Sequence, residues 1–224
     1  MKKGNVLFVV LMVVTTSVYA QGLTLGVRGG FNYTTVSGED FYHHPYYVPE
    51  QVEIDQSKSF KPGFNIGIDA IHQLNNKMAL QAELFNSSEG YKGEWSYNYE
   101  GLTSGKFTEQ YNLLNLPIFF KYNFTKHFFA MGGPQFSFLL SAKNKGELQP
   151  IDGGVIESTT DLTDQMNKMS IGITPAIGYD LNKMSFSLRY YAGLTSLAKE
   201  ERDINIKSQA LSVVVSYNVF TLKK

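Results

Sequence analysis

The sequence predicts an all-β protein, an eight-stranded antiparallel up-and-down transmembrane β-barrel with long extracellular loops and short periplasmic turns. Three observations predict it. Apolar and polar residues alternate with a period of two, which gives strands two chemically different faces. The connections between those strands are alternately short and long. Beyond an N-terminal leader, no stretch is apolar enough for a transmembrane helix. A membrane form must then be a barrel, the other spanning structure that pairs every backbone group.

Composition narrows the class before any element is placed. A chain of 224 residues holds one domain of ordinary size or two very small ones. Lysine plus arginine and aspartate plus glutamate number 20 each, so nothing favours a nucleic-acid partner. Aromatics make up 14%, mostly Tyr and Phe, and with 20 Gly they favour strands over helices. The absence of Cys excludes disulfides and thiolate metal sites and suits an oxidising compartment.

The N-terminus reads as a secretory signal. Lys2 and Lys3 precede an apolar run from Val6 to Val14, and Ser17-Val18-Tyr19-Ala20 sets small residues where a signal peptidase reads. The run is about nine residues, against roughly 20 for a spanning helix. Cleavage after Ala20 is expected, giving a leader over 1–20 and a barrel domain over 21–224.

The strands follow in order. The first sets Leu23, Leu25, Val27, Gly29, Phe31 and Tyr33 against Thr24, Gly26, Arg28, Gly30 and Asn32. The second sets Phe64, Ile66, Ile68 and Ala70 against Asn65, Gly67 and Asp69, and Asn75-Asn76-Lys77 turns into the third. There Met78, Leu80, Ala82 and Leu84 oppose Ala79, Gln81 and Glu83. The fourth shows Tyr111, Leu114, Leu116, Ile118, Phe120, Tyr122 and Phe124, and the parity change after Tyr111 predicts a bulge or a late start. Thr125-Lys126-His127 leads to the fifth, with Phe128, Ala130, Phe136, Phe138 and Leu140 on one side. Met169 to Leu181 and Met184 to Thr195 alternate cleanly around an Asn182-Lys183 hairpin turn. The eighth carries Gln209, Leu211, Val213, Val215, Tyr217 and Val219.

Long connections are expected at roughly 35–61, 88–108, 144–167 and 196–205. An even strand count puts both ends on the periplasmic side, where a cleaved leader leaves the N-terminus.

A soluble lipocalin-like barrel would turn the apolar face inward around a ligand. Here the apolar faces are bulky along their length while the opposite faces carry Gly, Ser, Ala and Thr. Small residues suit the narrow interior of an eight-stranded barrel. Tyr33, Tyr122, Tyr179 and Tyr217 fall near the ends of apolar faces, as an interfacial girdle requires. The inward face then collects Arg28, Lys121 and Arg189 with Asp69, Glu83 and Asp180, which should pair and plug the lumen. Pro117, Pro134 and Pro175 lie inside expected strands and should open local gaps in the ladder.

Four segments carry a family resemblance. Gly26-Val27-Arg28-Gly29-Gly30-Phe31-Asn32 resembles the opening strand of the PorT-like outer-membrane β-barrels of Bacteroidetes. Similar in the same order are Leu114 to Tyr122, Gly132-Gly133-Pro134-Gln135 through Ala142, and Arg189 to Thr195. The resemblance covers nearly the whole mature chain and implies an integral outer-membrane protein. It implies no single task.

The chemistry-bearing candidates are weak. His43 and His44 lie near Glu39 and Asp40, but adjacent residues on an extended chain point apart, which suits a surface loop better than a metal site. Ser37, Asp40 and His43 could line an outer rim as in lipid-modifying barrels, yet no nucleophile motif or phosphate-binding loop is present. No catalytic, cofactor-binding or metal-binding residue and no cofactor is therefore expected, nor any trailing periplasmic domain. The expected partners are outer-membrane lipid and an extracellular or envelope protein reached through the loops. A lipid-modifying enzyme, a small pore and a soluble binding barrel are the alternatives.

Overall fold

The computed structural model describes residues 22–38, 54–98, 102–149, 153–199 and 205–222. The leader and the His43–His44 segment lie outside the described residues. The strands are β1 (Leu23–Ser37), β2 (Ile54–Gln73), β3 (Met78–Asn98), β4 (Leu102–Asn123), β5 (Phe128–Gly132), β6 (Pro134–Gln149), β7 (Ile156–Asp161), β8 (Met169–Ile173), β9 (Ala176–Leu181), β10 (Met184–Gly193) and β11 (Lys207–Leu222). A short 3-10 turn spans Thr163–Gln165. Every pairing is antiparallel. The last strand pairs with both β1 and β10, so the sheet closes on itself.

Among the described residues the strands number eleven where eight were expected. Proline supplies most of the difference. The expected fifth strand is two, β5 and β6, with Gly133 between them; the segment from Met169 to Leu181 is likewise β8 and β9, parted at Thr174-Pro175. Pro134 and Pro175 have no N–H to give the ladder: β4 has no partner at Gly133 and Pro134, although Pro134 still pairs with Ile173, and pairing lapses at Pro175. Register does not slip: β4 pairs Phe120 with Gly132 below the first break and Pro117 with Gln135 above it. Bonds from Thr174 N to the Gly133 carbonyl (3.0 Å) and from Tyr190 N to the Pro175 carbonyl (3.1 Å) tie the broken strands together. Pro117 stays within β4, and the β3–β4 ladder skips the positions opposite it. The eleventh strand is β7, which hydrogen-bonds to β6 beyond the membrane band.

The faces match the alternation. Phe31, Phe64, Ile66, Ile177 and Val213 project outward, Phe31 to 78% exposure. Arg28, Asn32, Asn65, Gln81, Glu83 and Asn115 project inward and are buried. The chain does not form a barrel with an apolar interior facing a ligand. The expected bulge is present, but the extra residue is Leu140 of β6: Leu113 pairs with Leu139 and Asn112 with Ser141. Tyr111 consequently faces inward, fully buried, and does not belong to the outward face.

The long loops need a larger correction. The strands β2, β3, β4 and β6 run well past the apolar band, converting most of 54–61, 88–108 and 144–149 into sheet. The hydrophobic alternation fades there because the outward face turns polar at Lys92, Glu94 and Lys106 while glycine and charge share the buried inward face with Tyr91, and main-chain pairing continues. Aromatic rings take the place of missing side chains. Trp95 lies on Gly105 and Phe107 on Gly93, each ring within 2.6 Å of where a glycine Cβ would stand. At the other end, the turns around 75–77, 125–127 and 182–183 are short as expected, with Asn182 in the left-handed region at φ 54°.

Candidate functional site

The lumen is filled in layers, built from the inward residues of successive strands. At the periplasmic end Phe119, Phe129, Met131 and Ala176 form an apolar cluster. Lys121 Nζ lies 3.8 Å from the centre of the Phe129 ring and binds both oxygens of Asp180, at 2.8 and 3.1 Å.

One layer outward, Glu83 sits between two arginines. Its carboxylate accepts from Arg28 and, at 2.7 Å, from Arg189; the three side chains are 0%, 1% and 6% exposed respectively. Gln81 donates to the other Glu83 oxygen at 2.7 Å, Arg28 also donates to Asn65 Oδ1 at 2.6 Å, and Arg189 Nε donates to Ser187 at 2.9 Å. Arg28 lies over the Phe85 ring at 3.9 Å. Charges this deep are costly unless paired, and here both arginines share the Glu83 carboxylate; Arg28 Nε is left without a hydrogen-bond partner.

Above this come neutral and acidic groups. Asn115 donates to Ser87 (2.8 Å) and accepts from Ser137 (2.6 Å), while Thr174 donates to Gln135 (3.0 Å). Ser87 and Ser208 donate to the two oxygens of Glu89, at 2.8 and 3.0 Å. Between these groups lies a cavity of ≈ 20 Å³ lined by Arg28, Asn65, Glu89, Gln135 and Tyr191. That is room for about one water. A second apolar cluster of Val36, Tyr91, Tyr111, Leu113, Leu162, Met166, Leu197 and Ile206 caps the extracellular end.

The predicted inward charges are thus brought together, with one exception. Asp69 is buried but joins no ion pair; its carboxylate lies over Gly26, where a Cβ would stand 2.2 Å from Oδ1. The sequence reading missed Glu89 and Lys61 as inward or interfacial charges because it took their segments for loops, and Glu109 because it began the fourth strand at Tyr111. It missed the apolar cap for the same reason. The odd-numbered spacing of Tyr91, Gly93 and Trp95 was the available signal.

The rim offers little chemistry. Ser37, at the end of β1, donates weakly to the Lys207 carbonyl at 3.5 Å. Asp40, His43 and His44 lie outside the described residues, among which no group of three or more His, Asp and Glu side chains could hold a metal. Asp161, beyond the membrane, accepts from the Thr163 side chain and backbone N–H; those bonds hold its carboxyl below the usual carboxylate range.

A family model described as an outer membrane protein beta-barrel domain matches residues 19–199. The chain belongs to that family. As an outer membrane protein beta-barrel domain, the protein resides in the cell outer membrane, and its apolar outward band is the surface that meets lipid. No curated protein sequence matches it. Among solved structures it is similar to Neisserial surface protein A, at 12% identity over 88% of this chain and 99% of that one, with a TM-score of 0.45. Ail, the attachment invasion locus protein of Yersinia pestis, in complex with sucrose octasulfate, gives 11%, 88%, 98% and 0.43. OprG from Pseudomonas aeruginosa gives 10%, 92%, 98% and 0.37.

Proposed function

We propose that this outer-membrane barrel is non-enzymatic and acts through its extracellular surface, in binding, adhesion or envelope assembly. The observation that carries the reading is the lumen filled between its two apolar clusters, while β2, β3, β4, β6 and β7 continue as sheet outside the membrane. A filled barrel is a pedestal, and its chemistry is left to what stands on it. Within the wider family the PorT-like group is the proposed relative, on the four segments quoted above, and the chain is proposed to be cleaved after Ala20.

The test compares cells displaying the intact barrel with cells displaying one whose β3–β4 hairpin is shortened by removing 93–105 and joining the strands with a tight turn. Both must show heat-modifiable gel mobility. Loss of surface or envelope binding in the shortened form is expected; full retention of binding would sink the reading. Mass spectrometry of the mature N-terminus checks the cleavage site.

A further inference from the structure

The outward face changes character abruptly where the lipid-facing band ends. On β4 that band runs from Tyr122 to Leu114, and on β6 from Pro134 to Leu140. At about 3.3 Å per residue and a tilt near 40°, the β4 stretch covers roughly 20 Å of bilayer. The next outward pair is Asn112 with Ser141, then Gln110 with Lys143, then Lys92 with Thr108 with Lys145. Lys92 and Lys145 therefore flank Thr108 from opposite sides, with Lys143 two residues below Lys145 on the same face. All three are exposed. Among the described residues no carboxylate lies within ion-pair distance of any of them.

Of the neighbouring acids, Glu94 and Asp161 are engaged elsewhere, while Glu147 and Glu157 face each other one row further out. One row further out, Lys106 pairs with Glu94 at 3.4 Å, and Glu147 lies on the other side of Lys106. Asp161 is opposite Lys143 on β7, but its carboxylate turns to Thr163 N at 2.8 Å. Lys61 donates to Ser88 Oγ at 3.2 Å and lies close enough to Lys92 and Lys145 to feel both charges. Beside this patch, at the band's upper edge, Tyr33 and Phe60 stack with ring centres 4.7 Å apart. The result is a cationic patch above the lipid-facing surface, with Lys143 roughly 10 Å and Lys92 and Lys145 roughly 15 Å above Leu114 along the barrel, from which extended lysine side chains reach down toward the headgroup layer.

We propose that Lys92, Lys143 and Lys145 bind the phosphate groups of a phosphorylated lipid in the outer leaflet. Lipid phosphates occupy this depth, and a lysine close to such a surface gains from their field. Lys92 is on β3 and Lys143 and Lys145 are on β6, on either side of β4, so their points of attachment hold a fixed spacing that a headgroup can match. The site goes beyond the proposed function and stands without it.

The experiment uses the full mature barrel, folded in a zwitterionic detergent and confirmed by heat-modifiable mobility, with bisphosphorylated lipid A as the probe. Native mass spectrometry measures retained lipid at several salt concentrations. The triple variant Lys92→Gln/Lys143→Gln/Lys145→Gln is expected to weaken binding roughly ten- to hundredfold, and lipid A stripped of phosphate should bind the native protein as poorly. Single variants of Lys92 and Lys145 carry the test if the triple one does not fold, each with a smaller loss. Millimolar inorganic phosphate should not displace the lipid; displacement would point to a free-phosphate site and overturn the proposal. So would unchanged binding in the lysine variants, or an equal loss in Lys77→Gln/Lys126→Gln/Lys183→Gln at the periplasmic turns. Binding of an acidic protein but not of lipid A would overturn it as well.

Discussion

At the scale of single residues, Glu83 is the group on which the lumen depends. It is the only carboxylate in ion-pair contact with Arg28 and Arg189 among the described residues, and all three are buried. Replacing it with Gln keeps the shape but leaves two guanidinium groups facing each other without a counter-charge. Removing one partner of a buried pair costs about 3–5 kcal/mol. Glu83→Gln should therefore lower the urea midpoint of the folded barrel sharply, and the further change Arg189→Gln should recover part of the loss. A stability unchanged by Glu83→Gln would mean that water reaches the arginines and that the lumen is wetter than a cavity of ≈ 20 Å³ allows. The partner roles of Arg28, Arg189, Lys121 and Asp180 were legible in the sequence, because parity alone turned them inward. Which acid met which base was not: Arg28 and Glu83 are on non-adjacent strands and meet only across the curvature of the closed sheet. Asp69 has the same parity and still makes no ion pair.

At the scale of elements, two glycines decide how closely neighbouring strands approach. Gly133 fills the gap between β5 and β6, and a Cβ there would stand 1.9 Å from the Ile118 carbonyl oxygen. Main chain cannot swing aside as a side-chain tip can, so Gly133→Ala should cost about 1–3 kcal/mol in the same unfolding assay. Gly105 is the opposite case, since the atoms it would meet belong to the Trp95 ring. Gly105→Ala should displace that ring with little loss of stability. The chain has a single Trp, so its fluorescence reports on the extracellular sheet alone, and a red shift is the expected reading. An unshifted spectrum would place the ring elsewhere. Strand existence followed from alternation, whereas the extensions of β3, β4 and β6 were hidden because their outer halves alternate polar with glycine or charge.

At the scale of the molecule, the barrel pairs a lipid-facing apolar exterior with a filled interior. Apolar clusters close both ends, and hydrogen-bonded charge occupies the space between them. A purified barrel in planar bilayers should be electrically silent across ordinary voltages. Discrete conductance steps would show that the extracellular cluster opens, and would favour transport over a pedestal. No helix among the described residues is long and apolar enough to cross a membrane. The filling of the barrel is the reason the proposed binding role falls to the outer sheet.

The sequence by itself determined the class, the address and the handling of each face. A period of two is a local property, and a chain that buries one side of every strand writes that period residue by residue. The strict alternation of short and long connections added topology without any knowledge of contacts. Tertiary structure decided the rest. Proline breaks divided expected strands because the loss of a ladder bond depends on which neighbour the missing N–H would face. The inward turn of Tyr111, the cap it helps to build and the sheet that outruns the membrane depend on pairings between segments far apart in the chain. Such pairings are set by barrel closure and strand register, which no window of local sequence contains.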